Sequence, residues 1–325
     1  MKSYKIILAS LILLHLPFYF NSQEKIIIKW GDVLKNHPSV KMAEKISEEV
    51  KNKSNGRIEI KIYPEGQLGG SKDMISATIF GTQQIVIESP SFFQSYMPSI
   101  TVLDAPYIWR DIDHIYKVLD GPIGEKFNKD LIETKGIRIL GVTYYGIRHI
   151  TTSNKQIVSV KDMKGLKLRV QQYEMAASIV KAWNAVPVQI NFNETYFALK
   201  EGLVDGQENP LPTIDIANFA SVQKYLILTG HVINPRLIFI NEKFWQKFSS
   251  TDQMIIQEAI NNGIKWHNAE VLRLENESLN NLKSKGMIVI IPKIDEFRKA
   301  AISYVIKEYE KFWGKGMYEK ISSYK

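Results

Sequence analysis

The chain has 325 residues, a formal net charge of +8 at pH 7 and no cysteine. Without cysteine, the protein has no disulfides, no thiol catalysis, no cysteine-ligated metal and no lipid attached at a cysteine. Its basic residues are scattered among acids and do not cluster with aromatic residues, which argues against a nucleic-acid-binding protein.

The first 24 residues are typical of an export signal. A basic start, Met1 to Lys5, precedes a mostly apolar stretch from Ile6 to Phe20, and residues 21–24 are polar. We predict a signal peptide over residues 1–22 and a periplasmic protein that is not a lipoprotein. The alternative is an uncleaved N-terminal anchor, since Phe20 is bulky near the cleavage point. The remaining chain keeps 40 basic and 34 acidic residues, a modest excess that favours anionic ligands.

Short apolar strands and amphipathic helices alternate along the rest of the chain. Strands are predicted at 26–30, 57–63, 85–87, 137–142, 166–170, 186–190, 225–229 and 237–240, and early helices at 38–52 and from Gly69-Gly70 through Phe80. Pro187 puts its strand at a sheet edge or a strand start. The alternation predicts α/β lobes with largely parallel sheets, in which ligands bind at the carboxyl ends of strands.

One long helix is predicted from Thr251 to Lys285. Apolar residues recur at helical spacing, and Ser250 with Gln253 forms a capping box at its start. At about 1.5 Å per residue such a helix is ~50 Å long, enough to run across two lobes. The alternative is a pair of helices broken near Gly263.

Arg169 lies in the short apolar run 167–170, and a polar cluster, 205–210, follows it. A guanidinium inside a strand needs a partner, because an uncompensated buried charge is costly. Its planar fork suits the carboxylate of a bound organic acid. The alternative is an internal pair with a glutamate.

No enzyme site is predicted. The histidines show no paired metal spacing, and the glycine motifs of nucleophile elbows, phosphate loops and dinucleotide sites are missing from the sequence. We expect no catalytic residues, no metal and no cofactor.

Several motifs together resemble the extracytoplasmic solute receptors of TRAP transporters (tripartite ATP-independent periplasmic transporters). The motifs are 165–170, 196–199 and 204–210, supported by 67–69, 222–225 and Arg148 before 151–154. The similarity covers essentially the whole chain after the export signal.

The resemblance implies a two-lobed α/β fold of the periplasmic binding protein (Venus flytrap) type, with a long helix spanning both lobes. By this resemblance lobe I comprises 23–145 plus 235–274, and lobe II comprises 146–234 plus 275–325. The lobes would close on a small organic acid and deliver it to TRAP membrane permease subunits, with no ATPase and no nucleic acid involved.

The resemblance also implies the ligand-binding residues. Arg169 would grip the ligand carboxylate, Asn209 would donate to the same group, and Arg148 would be a second arginine, although its spacing differs by about one residue. Phe192 would pack an aromatic ring against the ligand or, alternatively, lie in the core.

Glu88 corresponds to a position that faces the ligand in receptors resembling the sialic acid and sugar acid types. A carboxylate there accepts hydrogen bonds from hydroxyls and repels a second ligand carboxylate, which favours a sugar acid such as a uronate or sialic acid. Alternatively Glu88 pairs with Arg148 or a lysine. Asp32, in place of an asparagine, counts against sialic acid itself. A C4-dicarboxylate receptor and the ligand-binding component of a sensory system remain as alternatives.

Overall fold

The computed structural model describes residues 25–325, so the predicted signal peptide lies outside the described residues. Within them, nine strands form one sheet. In chain order the strands are β1 Ile26–Gly31, β2 Ile58–Tyr63, β3 Ile85–Glu88, β4 Ile137–Thr152, β5 Lys167–Val170, β6 Val186–Gln189, β7 Gly206–Pro210, β8 Tyr225–Asn241 and β9 Ile288–Ile290.

The sheet order is β2-β1-β3-β8-β4-β7-β5-β6, with β9 added beside β8. Its outer strands pair in parallel, as predicted, but the central pairs β3–β8, β4–β8 and β4–β7 are antiparallel. The expectation of largely parallel sheets therefore holds only away from the centre. Pro187 lies in β6, which is an edge strand as predicted.

Two long central strands run through both halves of the sheet. The late part of β8 lies between β3 and the early part of β4. At the other end, the late part of β4 pairs with β7 and the early part of β8 pairs with β9. The prediction of separate strands at 225–229 and 237–240 is wrong, because both belong to the 17-residue β8. Gly230 and Pro235 are residues that often end a strand. The strand β8 continues past both of them because it pairs with β4 on either side. The register shifts between Tyr144 and Gly146, midway along β4.

Eleven α-helices flank the sheet in the described part of the chain. They are α1 Pro38–Lys53, α2 Ser71–Phe80, α3 Ile112–Leu119, α4 Pro122–Lys135, α5 Glu174–Ala182, α6 Phe192–Lys200, α7 Leu211–Ile216, α8 Glu242–Trp245, α9 Ser250–Ser284, α10 Ile294–Trp313 and α11 Met317–Ser322. None of the helices between residues 25 and 325 is long and apolar enough to cross a membrane.

The long helix is confirmed as the continuous, 35-residue α9. Its N-cap is Ser249, whose side chain accepts from the backbone N–H of Asp252, so the predicted capping box of Ser250 and Gln253 is wrong by one residue. The helix does not break at Gly263, because this glycine allows close packing on α1. A Cβ at Gly263 would lie 2.5 Å from Ile46 Cγ1 and 3.2 Å from Met42 Cγ.

The C-terminal segment packs along its own chain. Trp183 Nε1 donates to Phe297 O at the start of α10, and Trp313 Nε1 donates to Thr101 Oγ1 at its end. Beyond α10, Tyr318 donates to the Pro106 carbonyl. The segment therefore touches chain regions from both predicted lobe ranges, which themselves remain a prediction.

Candidate functional site

A cavity lies where the ends of β3, β5 and β7 approach each other. It is lined by Val33, Leu34, Ser71, Glu88, Ser89, Phe92, Tyr145, Arg148, Arg169, Gln171, Gln172, Ile190, Asn191, Phe192, Asn209 and Arg236. All five residues that the sequence singled out for ligand binding therefore line one cavity.

Arg169 projects from β5 and is 2% exposed. Its Nε and Nη2 atoms donate to the carbonyl of Ile190 at 3.0 and 2.8 Å. Within residues 25–325, its Nη1 atom has no hydrogen-bond partner, and no Asp or Glu oxygen lies within 4.0 Å of its guanidinium. Burial lowers the pKa of Arg169 to about 10, so the side chain keeps its charge at neutral pH. The cavity thus contains a buried cation with a free donor.

Arg148, on β4, is occupied by the protein itself. Its Nη2 atom donates to Glu208 Oε1 at 3.0 Å and to Asn209 Oδ1 at 3.1 Å, and Nη1 donates to Asn234 Oδ1 at 3.1 Å. Burial opposes ionisation of Glu208, but the charge of Arg148 together with hydrogen bonds from His231 and Arg148 lowers the pKa of Glu208 to about 2. An internal Arg–Glu pair, considered for Arg169, is thus present at Arg148.

Asn209 lies at the end of β7, next to Glu208. Its amide oxygen accepts from Arg148, and its amide nitrogen donates to Gln207 Oε1 at 2.6 Å. One N–H of this amide is therefore left for another acceptor, because a side-chain amide nitrogen carries two. Asn209 lies on the same cavity wall as Arg148.

Glu88 ends β3 and is 3% exposed. Ser71 Oγ donates to its Oε1 at 2.5 Å, and the Ser89 backbone donates to its Oε2 at 3.2 Å. Burial raises the pKa of Glu88, although nearby Arg236 acts in the opposite direction. The nearby cation, with Nη2 3.7 Å from Oε1, is Arg236 and neither Arg148 nor a lysine.

Phe192, the first residue of α6, lies between the cavity and the core. The centre of its ring is 5.9 Å from the guanidinium carbon of Arg169 and 6.3 Å from the ring of Phe219. The distance to Arg169 is that of a cation–π contact. Phe192 therefore borders the cavity and packs internally at once.

Sequence reasoning missed Arg236 and Gln171. Arg236 lies in the apolar run of β8, and the argument made for Arg169, a guanidinium inside a strand, applies equally to it. The Gln171 amide, oriented to suit its neighbours, donates to Glu208 Oε1 at 2.8 Å. No local pattern marks Gln171, because its role depends on contacts made by the folded chain.

No group of three or more His, Asp or Glu side chains within residues 25–325 has the geometry of a metal site.

Asp32, the residue that stands in place of an asparagine in the family resemblance, lies behind the cavity wall and accepts a hydrogen bond from Arg236 Nη2 at 3.1 Å. The polar groups of the cavity are thus suited to hydrogen bonding with a small anion.

The comparisons with known proteins all point to one protein family. The model of bacterial extracellular solute-binding protein family 7 matches residues 32–313. The sialic acid-binding periplasmic protein SiaP of Vibrio cholerae is 33% identical over 281 residues, which are 86% of this chain and 87% of that protein.

Two solved TRAP periplasmic solute-binding proteins share the fold. The one from Polaromonas sp. JS666, bound to D-erythronate, has a TM-score of 0.87 at 31% identity and covers 93% of this chain and 99% of its own. The one from Sulfurospirillum deleyianum, bound to succinate, has a TM-score of 0.86 at 29% identity and covers 93% and 100%. The two-lobed α/β fold expected from the sequence is confirmed by these structures.

Proposed function

The chain belongs to bacterial extracellular solute-binding protein family 7, the TRAP-transporter receptors, and from this we propose that it captures a hydroxylated monocarboxylate in the cavity around Arg169. The favoured class is a sugar acid, such as a uronate or sialic acid. The chain binds and delivers this solute without chemical change, in the periplasm, and hands it to the membrane subunits of a TRAP permease.

The observation that carries this proposal is the free Nη1 atom of buried Arg169. A buried guanidinium without an anion is costly, and the carboxylate of a ligand supplies both the charge and the missing acceptor. Asn209 offers one amide N–H to the same group. Arg148 supports the wall through its contacts with Glu208 and Asn209, so its contribution to the ligand is secondary.

Glu88 decides the class of acid within this proposal. Its buried carboxylate accepts hydrogen bonds from ligand hydroxyls and repels a second ligand carboxylate. The alternative, a C4-dicarboxylate, draws support from Arg236, a further buried cation at the cavity. The relatives themselves are divided, since one is named for sialic acid and solved structures contain erythronate or succinate.

Closure of the two lobes around the solute completes the proposed mechanism. We place lobe I at 23–145 plus 235–274 and lobe II at 146–234 plus 275–325, with the hinge near the register shift of β4. Phe192 packs over the Arg169 guanidinium and shields it from water. Excluding water strengthens the charge-assisted bonds, so the solute shifts the equilibrium towards the closed form.

The test is calorimetric titration of the purified protein with D-erythronate, D-galacturonate, sialic acid and succinate, repeated with Arg169→Ala. We expect at least one hydroxylated monocarboxylate to bind. Arg169→Ala should weaken that binding by roughly 30-fold or more, because truncating one partner of a buried charge pair costs about 2–5 kcal/mol.

Arg273→Ala is the matched control, since Arg273 is half exposed on α9 and, among the described residues, pairs with Glu270 and Glu277 alone. It should bind like the native protein. Equal binding by the native protein and Arg169→Ala would show that Arg169 is structural and the proposed site wrong. Binding of succinate alone would replace the sugar acid by a dicarboxylate.

A further inference from the structure

Arg236 is a second buried arginine with a free donor at the cavity. It is 3% exposed, and its Nη2 atom donates to Asp32 Oδ1 at 3.1 Å and to the Ile87 carbonyl at 2.5 Å. Its Nη1 atom has no partner within residues 25–325. Arg236 therefore resembles Arg169 in having an Nη1 nitrogen without a partner beside the same cavity.

The two arginines differ in their charge environment. Arg169 has no carboxylate within 4.0 Å among the described residues, whereas Arg236 lies 3.1 Å from Asp32 and 3.7 Å from Glu88. The charge of Arg236 is therefore already balanced by the protein. A second ligand carboxylate would add negative charge beside Asp32 and Glu88, so the subsite needs a neutral acceptor.

Glu88 supplies the complementary acceptor. Each of its oxygens accepts one protein hydrogen bond, from Ser71 or from the Ser89 backbone. A carboxylate has about four acceptor positions, so both oxygens keep capacity for a ligand donor. An unused donor and an unused acceptor thus belong to two neighbouring side chains that both line the cavity.

We propose that Arg236 Nη1 and Glu88 form a hydroxyl-reading subsite, in which Arg236 donates to a ligand hydroxyl oxygen and Glu88 accepts that hydroxyl's proton. Only a hydroxyl both accepts and donates here, since a carboxylate or a ketone only accepts. The subsite therefore selects polyhydroxy monocarboxylates over dicarboxylates and over 2-oxo acids that lack hydroxyls. This inference rests on the proposed function, with the ligand carboxylate held at Arg169.

Asp32 is a positioning residue for this subsite. It is 1% exposed and holds Arg236 Nη2, while it accepts in turn from Ser39 Oγ at 2.6 Å and from the Leu34 backbone at 3.1 Å. These contacts fix one side of the Arg236 fork, which leaves Nη1 as the group available to a ligand. An asparagine at position 32 would leave Arg236 without its near carboxylate.

The experiment compares two four-carbon acids of similar size, D-erythronate and succinate, by calorimetric titration. The native protein should bind erythronate more tightly. Arg236→Lys keeps the charge that balances Asp32 and Glu88 but loses the planar fork, and it should weaken erythronate binding roughly tenfold to a hundredfold. Glu88→Gln removes the repelling charge and should lower the erythronate-to-succinate affinity ratio at least tenfold.

Ligands that lack one hydroxyl show whether Arg236 reads that group. The probes are 2,3-dihydroxybutanoate and 2,4-dihydroxybutanoate, each compared with erythronate in the native and Arg236→Lys proteins. If a hydroxyl occupies the subsite, removing it from the ligand and replacing Arg236 abolish the same contact. The loss of affinity caused by both changes together should then be much smaller than the product of the two separate losses. Arg138→Lys, which alters an Arg–Glu242 pair away from the cavity, is the matched control and should leave both affinities unchanged.

Thermal melting of each variant checks that it is folded. The inference is overturned if Arg236→Lys leaves erythronate affinity and selectivity unchanged, or if its effect is the same on all three hydroxy acids. Binding of succinate without any polyhydroxy monocarboxylate would overturn the subsite while leaving the Arg169 anchor. A native protein that binds no carboxylate would refute the proposed function itself.

Discussion

Three buried arginines, Arg148, Arg169 and Arg236, line the cavity, and their pairing with buried acids determines what it can bind. Arg148 is paired with Glu208, and Arg236 is paired with Asp32 and lies near Glu88. Arg169 is therefore the arginine whose positive charge has to be balanced by a ligand. A ligand with one negative charge satisfies that need. A second negative charge on the ligand would lie near Asp32 and Glu88, which share one cation, Arg236.

A buried histidine on α9 should make stability depend on pH. His267 is 1% exposed, and burial is the main reason that its pKa is lowered to about 4. The unfolded chain has the ordinary value near 6.5, so it binds more protons than the native state between pH 6.5 and 4. The contribution of His267 is therefore complete above pH 6.5 and is lost on acidification, by roughly 2 kcal/mol between pH 7 and 5.

The measurement is urea unfolding of the native protein and His267→Gln at pH 7 and pH 5. The variant should lose less stability on acidification than the native protein does. Asp104 acts in the opposite direction, because burial raises its pKa to about 7 and its ionisation disfavours the fold as pH rises. The difference between the two proteins isolates His267, and identical losses would contradict the prediction.

At the scale of elements, local patterns predicted β2 and α9 from the regular spacing of their apolar residues, and β1 and β3 from short apolar runs. They could not predict β7, whose sequence Gly206–Pro210 is polar although all five residues are buried. Its side chains are satisfied by partners far along the chain, as Glu208 is by Arg148. Because these hydrogen-bond partners come from distant parts of the chain, they leave no periodic pattern in the local sequence.

The same limit applies to the site. Arg169 was predictable because a lone charge in an apolar strand demands an explanation. The pairing of Arg148 with Glu208, and of Arg236 with Asp32, depends on how β4, β7 and β8 are arranged side by side. That arrangement is set by the packing of the whole sheet, so the sequence alone could not assign the partners.

The contact between α1 and α9 predicts an unusual effect of a helix-favouring substitution. Gly263→Ala should gain about 1 kcal/mol of helix propensity, but its Cβ would overlap Ile46 at 2.5 Å. Overpacking typically costs about 1–3 kcal/mol, so we expect a net loss of unfolding free energy.

Urea unfolding of Gly263→Ala, Ile46→Ala and the double variant tests this. Ile46→Ala alone should destabilise the protein, since Ile46 is fully buried. In its background, Gly263→Ala should become neutral or stabilising, because the space for the new methyl group is then available. A loss that is the same in both backgrounds would rule out the clash.

At the scale of the whole molecule, the cleft is bridged at its rim. Asn193 Nδ2, on α6, donates to the Glu65 carbonyl in the loop after β2 at 3.0 Å. Nearby, a Cβ at Gly66 would lie 2.7 Å from Asn193 Nδ2, so the loop approaches α6 closely. These contacts join residues of the two predicted lobes, and they stabilise an approach of the lobes.

Removing the rim contact should weaken solute binding without touching the cavity. Asn193→Ala loses one partly exposed hydrogen bond, worth about 0.5–1 kcal/mol, which biases the molecule towards the open form. We expect a roughly twofold to fivefold loss of affinity, mainly through faster dissociation, measured by stopped-flow fluorescence. Asn276→Ala, whose side chain donates only within α9, should behave like the native protein. Unchanged dissociation in Asn193→Ala would exclude this role.

Because helix α9 is continuous, a movement of one part of it also moves its far end. Its 35 residues extend about 50 Å, and its first half is held against α1 by the close approach at Gly263. If the far half tilts by roughly 10°, its end is displaced by about 5 Å, given a rise of about 1.5 Å per residue. A small rotation at the hinge is thereby converted into a displacement at the molecular surface that a membrane partner could sense.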